Sequence, residues 1–388
     1  MTIFKNLGLM NKNNELIDLL LDVLVTFLVT GFFIIDRYEL WKFKVFDFGI
    51  SSIVAAFFVM LFLLLVIFQY RANIGLFEGL LVVLIISLGF GAHSYGSKTW
   101  FLNLAVYQAF FSLGLGVLLL HRPARWWVFF IPMAVICGYV ASYYLAHGNL
   151  DVAGIMPKTN RTLFGKIVVA FGMLGSLNYY IHKNWRPLPL IFYPLLTFMF
   201  AILSKSRGAI VIAMGFIVIS MGAILYPYFK ELVHSKTRTS TVKLLFFGVI
   251  SLVLLVVLLK YVLFHTRFAT SGLNSSGRDQ IVADFFHAYT WKSIIVGVPV
   301  EQVGRFSNLH NSYLQVLGQS GIIGWITLGL CSWVLWLLVS SKHYIATSCF
   351  ILLAVYSLVE YFVFLYIGDL VLFPLIVYAY HRRTRVNK

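Results

Sequence analysis

The chain has 388 residues, of which 60% are hydrophobic and only 11% are charged, and its mean hydropathy is +0.89. Soluble domains carry about 25% charged residues, so this composition excludes a soluble protein and indicates an integral membrane protein. The net charge of +16 does not by itself indicate nucleic-acid binding, because the basic residues of a membrane protein follow the orientation of its spans.

The apolar stretches divide the chain into membrane spans. A helix needs about 20 apolar residues to cross a bilayer, and somewhat shorter helices also cross. The predicted spans are 17–35, 49–68, 75–92, 99–120, 126–146, 165–181, 188–203, 208–228, 244–264, 320–339, 345–365 and 367–381. We therefore predict an all-α integral membrane protein with about twelve transmembrane helices in one polytopic domain, residues 1–388.

Basic residues gather in the loops on one side of these spans. The loop "KELVHSKTRTSTVK" and the tail "HRRTRVNK" carry four lysines or arginines each. Cytoplasmic loops have such an excess, so both termini are predicted in the cytoplasm. The long segment 265–319, between the ninth and tenth spans, then lies on the outer side, together with the loops 36–48, 93–98, 147–164 and 204–207. The polar stretches that could carry chemistry are thus predicted to share this side.

The first polar cluster on the outer side is "LSKSRGAIV", Leu203–Val211, where two spans meet. Lys205 and Arg207 stand at helix ends, where charged side chains reach the interface and anchor the helices. The alternative is that Arg207 faces an outward cavity and binds an anion, because a guanidinium group matches two phosphate oxygens at once. Lys205 is a neighbouring candidate for substrate binding.

The second cluster is "SGLNSSGRDQIVADFFHAYTWKS", Ser271–Ser293. Its apolar residues recur at helical spacing, which predicts a short amphipathic helix lying along the outer leaflet. A helix at the membrane surface explains the aromatic residues. It does not explain Arg278, a cation near the helix start, where the helix dipole is already positive.

The third cluster is "SNLHNSYLQVLGQSGIIGW", Ser307–Trp325. Apolar spacing places His310 in or just before the first turn of a helix that leads into the tenth span. A histidine in a loop is commonly an ordinary surface residue. The positive end of a helix, however, lowers the pKa of a histidine and keeps the imidazole neutral, as a general base requires. Asn311 either orients a sugar hydroxyl or caps the helix.

Other charged residues lie inside the predicted spans or on the outer loops. The charged residues in spans are functional candidates, because a buried charge in a bilayer is costly. Glu78 and Glu360 lie deepest in their predicted spans. The sequence assigns a role to neither. Lys158, Arg161 and Arg305 are on the outer side and are further candidates for substrate contacts. The sequence has no Asp-x-Asp pair, metal-ligand spacing or glycine-rich phosphate loop, so no metal or cofactor is expected.

Three pieces in fixed order, "SKSRGA", "SGRDQIV" and "HNSYLQVLGQSGIIG", resemble the signature of the bacterial O-antigen ligase and O-antigen polymerase superfamily. His310 and Asn311, followed after nine residues by Gly321 and Gly324, match the family pattern of His-Asn and Gly-x-x-Gly. The resemblance covers roughly residues 200–330 by motif. By topology, with one large periplasmic loop, it covers the whole chain.

The resemblance implies an inverting, metal-independent glycosyltransferase of the bacterial inner membrane, with its active site facing the periplasm and a fold similar to C-type membrane glycosyltransferases. Its donor would be a glycan on undecaprenyl pyrophosphate. By the same resemblance, Arg207 and Arg278 would hold the pyrophosphate, and His310 would accept the proton of the attacking hydroxyl. Membrane lipids and a chain-length regulator are further expected partners, and nucleic acid is not.

Three functions remain open from the sequence. An O-antigen polymerase passes the growing glycan to another lipid-linked repeat unit, whereas an O-antigen ligase passes it to lipid A-core. The short spacing from Arg278 to His310 resembles a polymerase more. A flippase or transporter of lipid-linked sugar is the third, since many spans and buried carboxylates suit it, although neither related halves nor interrupted helices at matching positions are visible here.

Overall fold

The computed structural model describes residues 9–31, 48–70, 74–94, 100–151, 155, 161–182, 187–235, 238–265, 278–298 and 309–386. Within those ranges the chain forms helices joined by turns, and no strand occurs in them. The predicted all-α class is confirmed for this part of the chain.

The helices follow the order of the predicted spans. In chain order they are α1 (Leu9–Thr30), α2 (Phe48–Tyr70), α3 (Leu76–Ser94), α4 (Trp100–His121), α5 (Trp126–His147), α6 (Arg161–Ile181), α7 (Pro187–Ser204), α8 (Arg207–Ser235), α9 (Arg238–His265), α10 (Arg278–Ala288), α11 (Trp291–Val296), α12 (Ser312–Ser320), α13 (Ile322–Ser340), α14 (Tyr344–Val359) and α15 (Asp369–Val386). Each predicted span overlaps one of α1–α9 or α13–α15. The predicted segment 265–319 contains α10 and α11 and most of α12.

Four helices in the described ranges are long and apolar enough to cross a membrane. They are α5, α6, α13 and the part of α8 that spans Arg207–Glu231. These helices support an α-helical membrane protein. The count of twelve crossings and the side on which each loop lies stay predictions.

Helix α6 lies in the centre of the bundle. Every side chain from Phe164 to Ile181 is buried, and α6 contacts α4, α5, α7, α8, α14 and α15. Glycines allow its neighbours to approach closely, since a side chain at Gly172 would overlap Thr197 of α7. One charged side chain lies within this buried helix, that of Lys166 in its second turn. A lysine in such a place needs a partner of opposite charge.

The eleventh predicted span, 345–365, is wrong at its C-terminal end. Helix α14 ends at Val359, and residues 360–368 follow as an irregular, mostly buried segment before α15 begins. Phe364 and Leu365 take left-handed backbone conformations there, with φ of 65° and 62°. We call residues 360–368 the break segment.

The break segment is tolerated inside the protein because its backbone groups have partners. Buried backbone N–H groups are costly unless they are hydrogen-bonded. The Asp369 carboxylate accepts hydrogen bonds from three of them, the amides of Phe364 at 2.9 Å, Leu365 at 2.8 Å and Tyr366 at 3.2 Å. The Ser312 hydroxyl accepts two more, from the amides of Phe362 at 2.8 Å and Val363 at 3.2 Å. Helix α12 is thereby joined to the break segment.

The predicted amphipathic helix exists as α10, but its apolar face packs on protein. Ile281 and Phe285 are buried in a small core together with Leu309, Leu314 and Leu317. The expectation of a helix that lies with its apolar face along the outer leaflet is therefore wrong for these two side chains. Packing against the start of α12 fixes the position of α10, and with it the position of its first residue, Arg278.

The two glycines of the Gly-x-x-Gly pattern lie at close contacts between helices. Gly321 joins α12 to α13 with a φ of 48°, and a side chain there would overlap the carbonyl oxygen of Ile295 in α11. A methyl group on Gly324 would stand 2.6 Å from the carbonyl oxygen of Val316. Because neither position has room for a side chain, glycine at both allows α11, α12 and α13 to pack closely.

Candidate functional site

The carboxylate of Glu360, the first residue of the break segment, lies at the centre of a cluster of cations. Its side chain is 2% exposed. The Arg278 Nη2 atom lies 2.6 Å from Oε1, and the Lys166 Nζ atom lies 3.2 Å from Oε2. Helices α6 and α10 and the break segment thus meet at one carboxylate. We call Lys166, Arg278 and Glu360 the Glu360 cluster.

The two cations of this cluster differ in their surroundings. The Arg278 side chain is 38% exposed, and its Nη1 atom also donates a hydrogen bond to the Val359 carbonyl oxygen at 2.6 Å. The Lys166 side chain is 8% exposed, and its Nζ lies 5.2 Å from the centroid of the Tyr366 ring. Arg278 is therefore in contact with solvent, whereas Lys166 is enclosed by protein.

Asn311 acts as the N-cap of α12. Its Oδ1 atom accepts hydrogen bonds from the amides of Tyr313 at 2.9 Å and Leu314 at 3.1 Å, as N-cap asparagines do. Its Nδ2 atom donates to the Leu358 carbonyl oxygen at 2.9 Å. Of the two predicted roles for Asn311, capping is observed, and contact with a sugar hydroxyl stays a prediction.

The two residues after Asn311 hold the start of α12, next to His310, against the end of α14 and the Glu360 cluster. Ser312 donates a hydrogen bond to the Glu360 carbonyl oxygen at 3.1 Å, and the Tyr313 hydroxyl donates to the Ala354 carbonyl oxygen at 2.9 Å. The start of α12 is thereby fixed to the end of α14. His310, directly before the N-cap, is held in a left-handed backbone conformation with a φ of 48°.

His310 is half-buried and within electrostatic range of all three members of the Glu360 cluster. Burial is the main cause that lowers the pKa of His310 below its ordinary 6.5; Glu360 opposes this shift, and Arg278 and Lys166 add to it. The prediction that this pKa is lowered agrees with the structure, although burial, not the helix dipole, is the main cause. A neutral imidazole is the form that accepts a proton.

The turn between α7 and α8 brings the "SKSRG" motif to the same place. Arg207 is the first residue of α8 and is partly buried, while Lys205 is exposed, with a left-handed φ of 52°. A methyl group on Gly208 would stand 3.8 Å from Cγ of Glu360 and 3.1 Å from the Tyr356 ring. The backbone next to Arg207 therefore packs directly against Glu360.

The other face of this turn packs against α6. A methyl group on Gly165 would stand 3.2 Å from both Ser204 Oγ and Ser206 Cβ. Because Gly165 precedes Lys166, the turn lies beside the point where Lys166 enters the Glu360 cluster. The three predicted residues Arg207, Arg278 and His310 thus come from distant parts of the chain to one region.

The remaining predicted site residues are less closely involved. Arg161 is exposed at the first position of α6, while Lys158 and Arg305 lie outside the described residues. In the part of the chain that the structure describes, no group of three His, Cys, Asp or Glu side chains is arranged to hold a metal ion.

Sequence reasoning missed Lys166 and did not assign Glu360. Lys166 lies in "RTLFGKIVV", where it looks like an ordinary charge near a helix end that reaches the interface. The available signal was its position inside a predicted span, which calls for a buried partner. Glu360 was the buried carboxylate that this reasoning would have paired with it.

Glu78, the other deep carboxylate, lies at the opposite end of α3 from the site. Its Oε1 atom is 2.6 Å from Nε2 of His381, and its Oε2 atom accepts a hydrogen bond from the Gly75 amide at 2.8 Å. The far end of α3 meets α12, because a methyl group on Gly91 would stand 2.8 Å from Ser320 Oγ. Glu78 therefore joins α3 to the C-terminal helix, away from the Glu360 cluster.

Comparisons with known proteins give no relative for this chain. No family model matches it, no curated protein matches it, and no solved structure matches it. The function therefore has to be argued from the three motifs and from the geometry around Glu360.

Proposed function

We propose that the protein is a membrane glycosyltransferase that uses an undecaprenyl-pyrophosphate-linked glycan as donor, and that it works as an O-antigen polymerase joining repeat units. The observation that carries this proposal is the meeting of Arg278, His310 and the backbone beside Arg207 at Glu360. The site thus combines cations for a diphosphate with a base for a hydroxyl. Both are what an inverting, metal-independent glycosyl transfer needs.

The charge of the site suits a lipid diphosphate. Arg278 and Lys166 supply two cations around the carboxylate of Glu360, which leaves this cluster with a net charge of +1, and the turn that carries Arg207 packs against the same residue. A diphosphate diester carries two negative charges at neutral pH, and guanidinium groups bind its oxygens in pairs. In such a site arginines neutralise the charge that builds on the leaving group, a task that other enzymes give to a metal ion.

His310 is the proposed general base. In the transfer the acceptor hydroxyl loses its proton to His310 while its oxygen forms a bond to the anomeric carbon. The bond from that carbon to the phosphate oxygen breaks, and its electron pair leaves with the diphosphate. Attack from the face opposite the leaving group inverts the anomeric configuration. The lowered pKa of His310 supports this role, because the neutral form is available near pH 7.

We propose that the chain crosses the bacterial inner membrane twelve times, with both termini in the cytoplasm. The Glu360 cluster would then lie on the periplasmic face. The fold would be similar to that of C-type membrane glycosyltransferases. The support for this arrangement is that each predicted span overlaps a helix, that four of the described helices are long and apolar enough to cross a membrane, and that basic residues gather in the loops on one side. Single cysteines at exposed positions of α10 test the orientation. A thiol reagent that cannot cross the inner membrane should label them in cells with permeabilised outer membranes.

The test of activity uses the purified protein in detergent, with no membrane gradient. A polymerase lengthens the lipid-linked glycan when repeat units alone are supplied, and a ligase forms product only when lipid A-core is added. A flippase forms no new product with either acceptor. Longer lipid-linked chains support the proposal, and absence of any transferred glycan from a monodisperse, well-folded preparation overturns it.

Deletion of the gene gives the complementary test in cells. Loss of a polymerase leaves lipopolysaccharide capped with one repeat unit, whereas loss of a ligase leaves bare core. Complementation with the parent gene should restore long chains, and complementation with the His310→Ala gene should not. The matched control is His287→Ala, which removes an exposed histidine at the end of α10 and should complement fully.

A further inference from the structure

The two oxygens of the Glu360 carboxylate serve two different cations. Oε1 is paired with Arg278 at 2.6 Å, and Oε2 is paired with Lys166 at 3.2 Å. Because each cation has its own oxygen, one of them can leave without breaking the contact of the other. A buried carboxylate that keeps one close cation avoids the large cost of an unpaired buried charge.

The surroundings of the two cations decide which one can leave. Lys166 lies on α6, whose side chains from Phe164 onward are all buried, and its own side chain is 8% exposed. Arg278 is the first residue of the short helix α10, and its side chain is 38% exposed. A ligand arriving from solvent therefore reaches Arg278 first, while Lys166 stays enclosed beside Glu360.

Both terminal nitrogens of Arg278 have protein partners. Nη2 contacts the Glu360 carboxylate, and Nη1 donates to the Val359 carbonyl oxygen. A diphosphate that binds these two nitrogens competes with both contacts for the same guanidinium group. In this structure the carboxylate of Glu360 thus lies against a nitrogen of Arg278 that would contact a phosphate oxygen.

We infer that Glu360 is a built-in competitor for the diphosphate of the donor, and that Lys166 is the positioning residue that makes the exchange possible. Without donor, Glu360 holds Arg278 in place; when donor binds, Arg278 turns to the diphosphate, and Lys166 alone remains as the counter-ion of Glu360. This inference rests on the proposed function for the identity of the diphosphate lipid. It adds two residues, Lys166 and Glu360, and a resting state to the site.

We call the movement of Arg278 from Glu360 to the diphosphate the exchange. It predicts opposite effects on diphosphate binding for substitutions of Glu360 and Lys166. Glu360→Gln removes the competitor, so Arg278 is free for ligand and the diphosphate should bind more tightly. Lys166→Met leaves Glu360 with Arg278 as its remaining close cation, so release of Arg278 becomes costly and the diphosphate should bind more weakly. In the double variant the carboxylate is gone, so Lys166→Met should no longer weaken binding.

The experiment measures binding of sugar-free undecaprenyl pyrophosphate to the full-length protein in detergent, with undecaprenol as the uncharged control for the lipid tail. Contacting charged residues commonly show coupling equivalent to about a tenfold change in affinity. We expect about tenfold tighter binding for Glu360→Gln, about tenfold weaker binding for Lys166→Met, and binding at least as tight as that of the parent for the double variant. Undecaprenol should bind all variants alike.

Matched controls are Glu231→Gln and Lys292→Met, which make the same chemical changes at exposed positions of α8 and α11. Both should bind undecaprenyl pyrophosphate as the parent does. If Lys166→Met proves unstable, Glu360→Gln carries the test, because the amide has nearly the same shape as the carboxylate. Weaker or unchanged binding in a monodisperse Glu360→Gln protein overturns the exchange.

Three further outcomes distinguish a failure of the exchange from a failure of the proposed function. If Lys166→Met weakens binding equally with and without Glu360→Gln, Lys166 contacts the ligand directly and the exchange is wrong. If transfer activity is present but the binding pattern is absent, the exchange fails and the proposed function stands. If the binding pattern is present but no glycan is transferred, the exchange stands for a diphosphate lipid and the transferase function fails.

Discussion

Two buried carboxylates, Asp22 and Glu360, each lie between two cations, and yet the two clusters differ in charge. Arg122 donates two hydrogen bonds to Asp22, from Nη2 at 2.9 Å and from Nη1 at 3.2 Å, and Arg125 lies 3.6 Å away. A second carboxylate, Asp18, contacts Arg122 at 3.0 Å. Two anions therefore balance two cations around Asp22, whereas Glu360 alone faces Lys166 and Arg278.

The two clusters lie at opposite ends of the bundle. Lys166 lies near the start of α6, and Asn178 lies twelve residues later, about 18 Å further along the helix axis at 1.5 Å per residue. The Asn178 side chain accepts a hydrogen bond from the Ala124 amide at 2.9 Å and donates one to the Ala124 carbonyl oxygen at 3.0 Å, between Arg122 and Arg125. A balanced cluster joins helices and needs nothing more, while a cluster with extra positive charge and a partly exposed arginine is suited to an anionic ligand.

The largest effect is expected for His310, the proposed base next to the Glu360 cluster. His310→Ala should reduce turnover by about 10²-fold to 10⁴-fold, the usual contribution of a positioned base. Donor binding should persist in part, because Arg207 and Arg278 remain. Steady-state kinetics with purified lipid-linked repeats, next to a direct binding measurement, separates the two effects. Turnover equal to that of His287→Ala would remove His310 from the mechanism.

The Asp22 cluster should respond in stability and not in catalysis. Asp22→Asn leaves Arg122 with a single carboxylate partner, and breaking a buried ion pair costs about 3 kcal/mol at the low end. We expect a lower thermal midpoint in detergent and a turnover per folded molecule like that of the parent. Glu360→Gln should instead change diphosphate binding more than it changes the thermal midpoint. A loss of turnover in folded Asp22→Asn would contradict the distinction between the clusters.

Arg278→Lys tests whether the forked geometry matters in addition to the charge. Lysine keeps the positive charge but lacks the planar fork with which a guanidinium donates two parallel hydrogen bonds to oxygens of the diphosphate. Loss of one hydrogen bond to a charged group weakens donor affinity by about tenfold or more. Donor binding and KM should both report this change. Parental affinity would show that a point charge is sufficient.

The smallest effect is on pH dependence. Transfer should fall as pH drops through the pKa of His310, which lies below 6.5 because burial, Arg278 and Lys166 lower it while Glu360 raises it. Glu360→Gln removes a cause that raises this pKa, so the fall should move to lower pH. Lys166→Met removes a cause that lowers it, so the fall should move to higher pH. Shifts of both variants in the same direction would contradict the assignment of the base.

The sequence predicts the helices well and the break segment poorly. Apolar length is a local property, and each predicted span overlaps a helix. The run "LVEYFVFLYIGDLVLF" is apolar except for Glu360, Gly368 and Asp369, so its hydropathy alone does not indicate that α14 ends at Val359. The break depends on Asp369 and Ser312, and Ser312 lies about 50 positions away along the chain. Such partners become visible only when the helices are packed.

The candidate site was also predictable only in part. Arg207, Arg278 and His310 stood out because charged or titratable residues followed one another on one predicted face of the membrane. Lys166 did not, since a lysine near a helix end usually reaches the interface. The surroundings of the Lys166 side chain depend on how its helix packs, and α6 is buried on all sides from Phe164 onward. Pairing Lys166 with Glu360 required the packing of α6 against α14 and the break segment.

The measurement that tests this account most directly compares undecaprenyl pyrophosphate binding in the parent with binding in Arg278→Met and Arg125→Met. Each variant removes one arginine from a cluster around a buried carboxylate. The account predicts that Arg278→Met loses most of the affinity for undecaprenyl pyrophosphate and that Arg125→Met retains it. Equal affinity in all three proteins, or an equal loss in both variants, would contradict the claim that the Glu360 cluster is the diphosphate site.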